Sequence, residues 1–157
     1  MLVGVVADSH DNLPAIAAAV GALLGAGAEH LLHAGDVIAP FAARAWREFP
    51  GPITAVYGNN DGERAGLAKV LTDIHDPPHA FALGGRRIVL AHDAEMLTEA
   101  VLEGADLAVF GHSHKVGLER RGRTLVLNPG EVGGWLTGTR TCALVDLSTL
   151  EVEMLEL

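Results

Sequence analysis

The apolar run Leu2 to Ala7 stops abruptly at Asp8-Ser9-His10-Asp11-Asn12. An apolar run of this kind, bounded by polar residues, reads as a buried strand. In extended chain, side chains two residues apart point the same way, so Asp8 and His10 are expected to converge. A carboxylate and an imidazole at the end of a buried strand make half of a site for a borderline-hard divalent ion. Taken alone, the stretch is explained as well by Asp8 and Asn12 capping the next helix, with His10 a loop residue. The metal reading gains weight only if the pattern recurs, and it does.

Leu13–Ala26 reads as an alanine-rich helix with Leu13, Ile16, Val20, Leu23 and Leu24 on one face, Asn12 as N-cap, and Gly25 and Gly27 at its end. His30–His33 is a short strand running into Ala34-Gly35-Asp36, and a helix over Phe41–Glu48 turns Trp46 inward. Ile53–Tyr57 is the next strand, ending in Gly58-Asn59-Asn60-Asp61, and a helix over Glu63–Leu71 follows. Beyond the loop Asp76-Pro77-Pro78 the pattern turns to hairpins. His79–Leu83 pairs with Arg86–Ala91 across Gly84-Gly85, and His92 ends the second strand. A helix over Ala94–Glu103, capped by Asp93, leads to the strand Asp106–Phe110, which ends in Gly111-His112-Ser113-His114. Val116–Arg121 and Arg123–Leu127 form a hairpin about Gly122, Gly133–Gly138 is a glycine-rich loop, and Thr141–Asp146 pairs with Glu151–Leu157.

Five apolar strands therefore end in residues able to bind metal: Asp8 and His10, Asp36, Asn59, His92, and the pair His112 and His114. Each has an ordinary explanation as a turn or a polar strand end. Recurrence at equivalent positions favours one shared purpose. In open α/β sheets ligands gather beyond the carboxyl ends of strands. Strand–helix alternation followed by hairpins implies stacked sheets with helices outside.

The wider composition sets bounds. Hydrophobic residues are 49% of 157, ample for one domain spanning 1–157. Apolar runs of roughly four to eight residues are too short to cross a bilayer. A strand starting at Leu2 leaves no room for a signal peptide, and the single Cys142 suits a reducing compartment, so a cytoplasmic location is expected. The formal net charge of −9 argues against nucleic acid as a partner.

In order, Asp8-x-His10, Gly35-Asp36, Gly58-Asn59-x-Asp61, His92 and Gly111-His112-x-His114 resemble the motif set of the calcineurin-like metallophosphoesterases. Asp8-Ser9-His10-Asp11-Asn12, His33-Ala34-Gly35-Asp36 and Asn128-Pro129-Gly130 resemble its small bacterial and archaeal phosphodiesterase branch. The resemblance implies an α/β fold, a four-layer αββα sandwich of two mixed β-sheets flanked by helices. It also implies two divalent metal ions, drawn from manganese, iron, cobalt, nickel or zinc. By position, Asp8, His10, Asp36 and His114 would hold one ion, and Asp36, Asn59, His92 and His112 the other, with Asp36 bridging. The implied activity is hydrolysis of a small phosphate ester by a metal-bridging hydroxide, with catalytic roles for His112, Asn59 and Asp36. Two divalent ions outweigh two carboxylates and a hydroxide, so a small anion is attracted despite the acidic whole.

Three positions depart from the family pattern. Asn60 stands where many members have a His that protonates the leaving oxygen, and an amide cannot act as a general acid. That favours diesters or activated aryl esters. Asp93 and Glu131 stand where relatives often have Gly and Ser, and are read as rim charges, Asp93 more simply as a helix cap. His30, His75 and His79 are read as surface or loop residues, His33 as a buried hydrogen-bonded side chain or an orienter of Asp36, and Trp46 and Trp135 as packing or contact residues in preference to base-stacking platforms. Arg120, Arg121 and Arg123 read as a solvated turn. Two other functions compete. A non-catalytic metal-binding scaffold, as in a retromer subunit that resembles this branch, is opposed by the complete ligand set. A nuclease on long nucleic acid is opposed by the short, acidic chain. A homo-oligomer through exposed apolar strands or Trp135 is compatible with the sequence.

Overall fold

A computed structural model describes residues 1–157. The first half runs β1 (Leu2–Val6), α1 (Leu13–Gly25), β2 (His30–His33), α2 (Pro40–Trp46), β3 (Ile53–Val56), α3 (Arg64–Val70) and β4 (Ile74–His75). Next come β5 (His79–Leu83), β6 (Arg86–Leu90), a 3-10 turn (Ala94–Met96), α4 (Glu99–Leu102) and β7 (Leu107–Val109). The chain ends with β8 (Val116–Arg121), β9 (Thr124–Pro129), β10 (Thr141–Asp146) and β11 (Glu151–Glu156).

The strands form a six-stranded sheet ordered β11-β10-β1-β2-β3-β4 and a five-stranded sheet ordered β5-β6-β7-β9-β8. Both are mixed. β1, β2, β3 and β4 are parallel, β10 pairs antiparallel with β1, and β11 pairs antiparallel with β10. In the other sheet β6, β7 and β9 are parallel, with β5 and β8 antiparallel at the edges.

Strand alternation sets the layers. Val3, Val5 and Ala7 point between the sheets and meet Leu32, Val56, Ile88, Leu90, Leu107 and Val109. Val6 points the other way, into the apolar face of α1 formed by Ile16, Ala19 and Leu23. Leu13 and Leu24, expected on that face, lie at its margins and are exposed, and the alanines Ala15 and Ala19 are buried in their stead. Trp46 and Phe49 complete that outer layer, and both are buried. α4 and the loops beside it cover the second sheet, where Leu97 and Ala105 share a buried cluster with Val89 and Val126 of the strands. The result is the expected four-layer arrangement, helix, sheet, sheet, helix. No helix is long and apolar enough to cross a membrane.

Two local features differ from the sequence reading. The helix expected over Ala94–Glu103 is divided: Thr98 accepts a hydrogen bond from Val101 N–H at 3.4 Å and starts α4 afresh. β4 was not expected, because its two residues carry no apolar run; Asp73, His75 and Ile74 add to the edge of β3 through backbone pairing.

Candidate metal centre

The carboxyl ends of β1, β2, β3, β6 and β7 meet at one edge of the sandwich. The backbone that delivers the side chains is not extended there. Asp8, His10, Asp11, Asp36, His112 and His114 all have positive φ, between 41° and 64°. Asp8 and His10 therefore do not converge by strand alternation, since β1 stops at Val6. They converge because a run of left-handed residues coils the chain back on itself. Such backbone costs energy in residues with a Cβ and persists only where neighbours hold it.

Those neighbours are visible. Asp8 N–H donates to Gly35 O at 3.0 Å, and His10 N–H to Asp36 O at 3.1 Å. Asp61 is buried and accepts from the N–H groups of Asp36 (3.0 Å), Gly58 (2.7 Å) and Ile38 (2.6 Å), tying the ends of β2 and β3 together. Asp8 Oδ2 accepts from His112 N–H at 3.0 Å across the two sheets. The glycines permit the approach. A Cβ on Gly35 would lie 2.6 Å from His92 Nδ1, one on Gly111 would lie 2.7 Å from Asp8 Oδ2, and one on Gly58 would strike Asp36 Oδ1.

The side chains gather into two overlapping groups. Asp8, His10 and His114 each offer a ligand atom within 4.8 Å of the others, and so do Asp8, Asp36 and His92. His10 Nε2 and His114 Nε2 each lie 3.9 Å from Asp8 Oδ1. Asp36 Oδ2 lies 3.5 Å from His10 Nε2 on one side and 3.5 Å from His92 Nε2 on the other, so this carboxylate stands between the groups. Asn59 Oδ1 is 2.8 Å from His92 Nε2 and 2.9 Å from His112 Nδ1. All seven residues expected at the site are thus brought together.

Tautomers are fixed from behind. His92 Nδ1 lies 2.7 Å from Ala34 O and His114 Nδ1 lies 2.9 Å from Glu131 Oε2, acceptors that place a proton on each Nδ1. Each Nε2 then turns its lone pair toward the carboxylates, as a metal-ligating imidazole requires. Asp8 Oδ1 and His10 Nε2 are buried without any hydrogen-bond partner. Buried polar atoms are normally satisfied, so a pair of orphans facing His114 and Asp36 fits a cation. Burial pushes the Asp8 carboxyl up to about 7, against the pull of His92 and His114. Burial also opposes ionisation of Asp36, but the His92 imidazole beside it and the two hydrogen bonds from Asn60 outweigh it and hold that carboxyl below the usual range.

Of the other residues, Glu131 departs from expectation, while Asp93, His33 and the arginines fall as the sequence suggests. Glu131 is not at the rim. It is fully buried and accepts from His114 Nδ1, from the N–H groups of Trp135 (2.9 Å), Leu136 (3.0 Å) and Thr137 (2.6 Å), and from the Thr137 hydroxyl (2.7 Å). Burial alone would raise its pKa; His114 and Thr137 outweigh it and leave the carboxyl at about 2. Asp93 caps the 3-10 turn through Glu95 N–H at 3.0 Å, and its Oδ2 also reaches within 3.6 Å of His112 Nε2. His33 is buried, accepts from Gly35 N–H at 3.2 Å, and meets Trp46 edge-on. His75 and His79 are strand residues, stacked on each other at 3.7 Å. The arginine cluster lies on the β8–β9 hairpin, where Arg121 pairs with Glu119 and Arg123 with Asp106.

A two-sheet sandwich whose parallel strands end on clustered carboxylates and imidazoles is the scaffold of a metallophosphoesterase. Residues 1–150 match the calcineurin-like phosphoesterase superfamily domain, and the chain belongs to that superfamily. Phosphodiesterase MJ0936 of Methanocaldococcus jannaschii is 32% identical over 159 residues, covering 96% of this chain and 96% of that protein. A solved structure described as a novel archaeal phosphodiesterase is 29% identical, with a TM-score of 0.88 and full coverage of both chains (100% and 100%). YfcE, a phosphoesterase from E. coli, shares the fold at 22% identity, with a TM-score of 0.74, covering 99% of this chain and 98% of its own.

Proposed function

We propose that the protein is a metal-dependent phosphodiesterase acting on small phosphate esters. The observation that carries this reading is the pair of buried, unpartnered donor atoms, Asp8 Oδ1 and His10 Nε2, facing His114 and Asp36. Asp8, His10, Asp36 and His114 would hold one divalent ion, and Asp36, Asn59, His92 and His112 a second. When bound, such ions act as Lewis acids toward the phosphoryl group and make hydroxide available near neutral pH.

The chain's own residues do the rest. Asp36 stands between the two donor groups and keeps them in register. Glu131 and Ala34 hold His114 and His92 with Nε2 forward. His112 is about half exposed at the mouth, where an imidazole N–H can donate to a phosphoryl oxygen. Asn60 donates its amide to Asp36 Oδ2 at 2.7 Å and its backbone N–H to Oδ1 at 2.9 Å. It steadies the carboxylate but has no titratable proton for a departing alkoxide, which favours diesters with good leaving groups. Two concavities flank the cluster. One of about 150 Å³ is shared by Asn59, His92, His112, Tyr57 and Arg64; the other, of about 360 Å³, by His10, Asn60, His114, Trp135 and Leu136. A diester has two substituents to place.

The test is removal of metal by chelation, restoration with single ions, and assay of a p-nitrophenyl monoester against a diester with the same leaving group. Activity is expected to vanish on chelation, to return with a transition metal, and to favour the diester. Full activity in chelator overturns the metal assignment. A strong monoester preference overturns the role given to Asn60.

A further inference from the structure

We propose that Trp135 and Leu136 form a subsite for a flat aromatic substituent of the phosphate ester. The proposal rests on the phosphoesterase reading above and adds a substrate class to it.

Trp135 is 64% exposed and Leu136 75% exposed, large apolar side chains left in solvent beside a polar cluster. Isolated exposed apolar residues need no explanation, but these two wall a concavity whose other lining residues are His10, Asn60 and His114. An ester whose phosphoryl group sits on the donor cluster must extend a substituent past this wall or the opposite one.

The wall is pre-positioned. The indole Nε1–H donates to His10 O at 3.3 Å, which fixes the ring against the same residue that supplies a candidate ligand atom. Backbone N–H groups of Trp135, Leu136 and Thr137 converge on buried Glu131. Val132 and Gly133 N–H groups donate to Ala7 O and Asp8 O, each at 3.0 Å, so the loop is strapped to the end of β1. A Cβ on Gly133 would lie 2.8 Å from Trp135 Cδ1, so glycine there lets the indole lie close to the chain. A rigid exposed indole gains little for folding and loses little entropy on stacking a ring. Across the cluster, the second concavity is smaller and carries Arg64, which suits a polar substituent. A second copy of this chain is the competing occupant of the indole. The concave shape, and the direct continuity with His10 and His114, favour a small ligand.

Phenylphosphonate and methylphosphonate, neither hydrolysable, separate the ring from the anion. On metal-loaded wild type, Kd is read from quenching of the exposed indole and Ki from diester hydrolysis. Phenylphosphonate is expected to bind roughly 10-fold tighter, the scale of one stacked ring. Trp135→Ala is expected to bring that ratio near unity, and Trp135→Phe to keep most of it. Comparing a nucleoside 5′-monophosphate with ribose 5-phosphate then tells a nucleobase from a simple aryl group. A phenyl-to-methyl ratio unchanged in Trp135→Ala overturns the subsite, as does a concentration-dependent dimer that shields the indole. Failure of both phosphonates to bind, with no diester hydrolysed, instead overturns the phosphodiesterase reading itself.

Discussion

At the scale of single residues, the sequence identified which side chains meet but not how. The spacing of Asp8 to His10 and of His112 to His114 pointed to convergence through strand alternation. The convergence is real, but left-handed backbone at all four residues produces it. Non-glycine residues at positive φ have no clear sequence signature, so alternation was the wrong physical reason for a correct grouping. Glu131 was misplaced for a related cause. Its identity was plain, but its burial follows from a loop whose backbone N–H groups turn inward, which composition does not show. Its position yields a prediction. Glu131→Gln keeps the size but replaces an anion with an amide against His114 Nδ1 and three backbone donors. Losing an outer hydrogen-bond partner of a metal-ligating histidine costs about 10- to 100-fold in metal affinity. Competitive metal titration of the variant is expected to show a loss of that size. An affinity equal to wild type would reduce Glu131 to a loop anchor.

At the scale of elements, the strands that build the site were legible because each is an apolar run with a sharp polar end. The glycine before Asp36, before Asn59 and before His112 was also legible, as a mark of close approach. What was not legible was the break before α4, since Met96, Leu97, Val101 and Leu102 continue a helical spacing through Thr98. The two-residue β4 likewise owes its existence to its neighbour β3 rather than to its own sequence. Close packing at the end of β7 gives a prediction at this scale. Gly111→Ala places a methyl 2.7 Å from Asp8 Oδ2 and 2.8 Å from Ala7 Cβ, where two strand ends from different sheets touch. Overpacking of a tight contact costs about 1–3 kcal/mol. Chemical denaturation is expected to register that loss, and metal affinity should fall with it because Asp8 must move. Unchanged stability together with unchanged metal affinity would mean that the two sheets part there without cost.

At the scale of the whole molecule, stability without metal is expected to depend on pH through His33, a buried imidazole between the end of β2 and Trp46 of α2. It is fully buried at the end of β2, accepts from Gly35 N–H, and packs edge-on against Trp46 from α2. Burial pushes its pKa down to about 3. The unfolded chain binds a proton at this imidazole near pH 6.5, the ordinary value, whereas the folded chain resists until about 3. Above 6.5 neither state is protonated, and the neutral buried ring contributes its full share to folding. As pH falls below 6.5 only the unfolded state gains a proton, so stability drops by about 1.4 kcal/mol per unit until the folded state titrates. Between pH 7 and pH 5 the loss from this one residue is therefore about 2 kcal/mol. His33→Gln can still accept from Gly35 N–H but cannot titrate, so it should lack this component. Urea midpoints measured in chelator at both pH values, for wild type and variant, isolate it by difference. Chelator matters because proton competition at the metal donors would otherwise add its own pH dependence. Parallel losses in the two proteins would show that acid lability arises at a group other than His33; Asp8 is not that group, because a carboxyl raised by burial takes up its proton in the folded state first and gains stability as pH falls through this range.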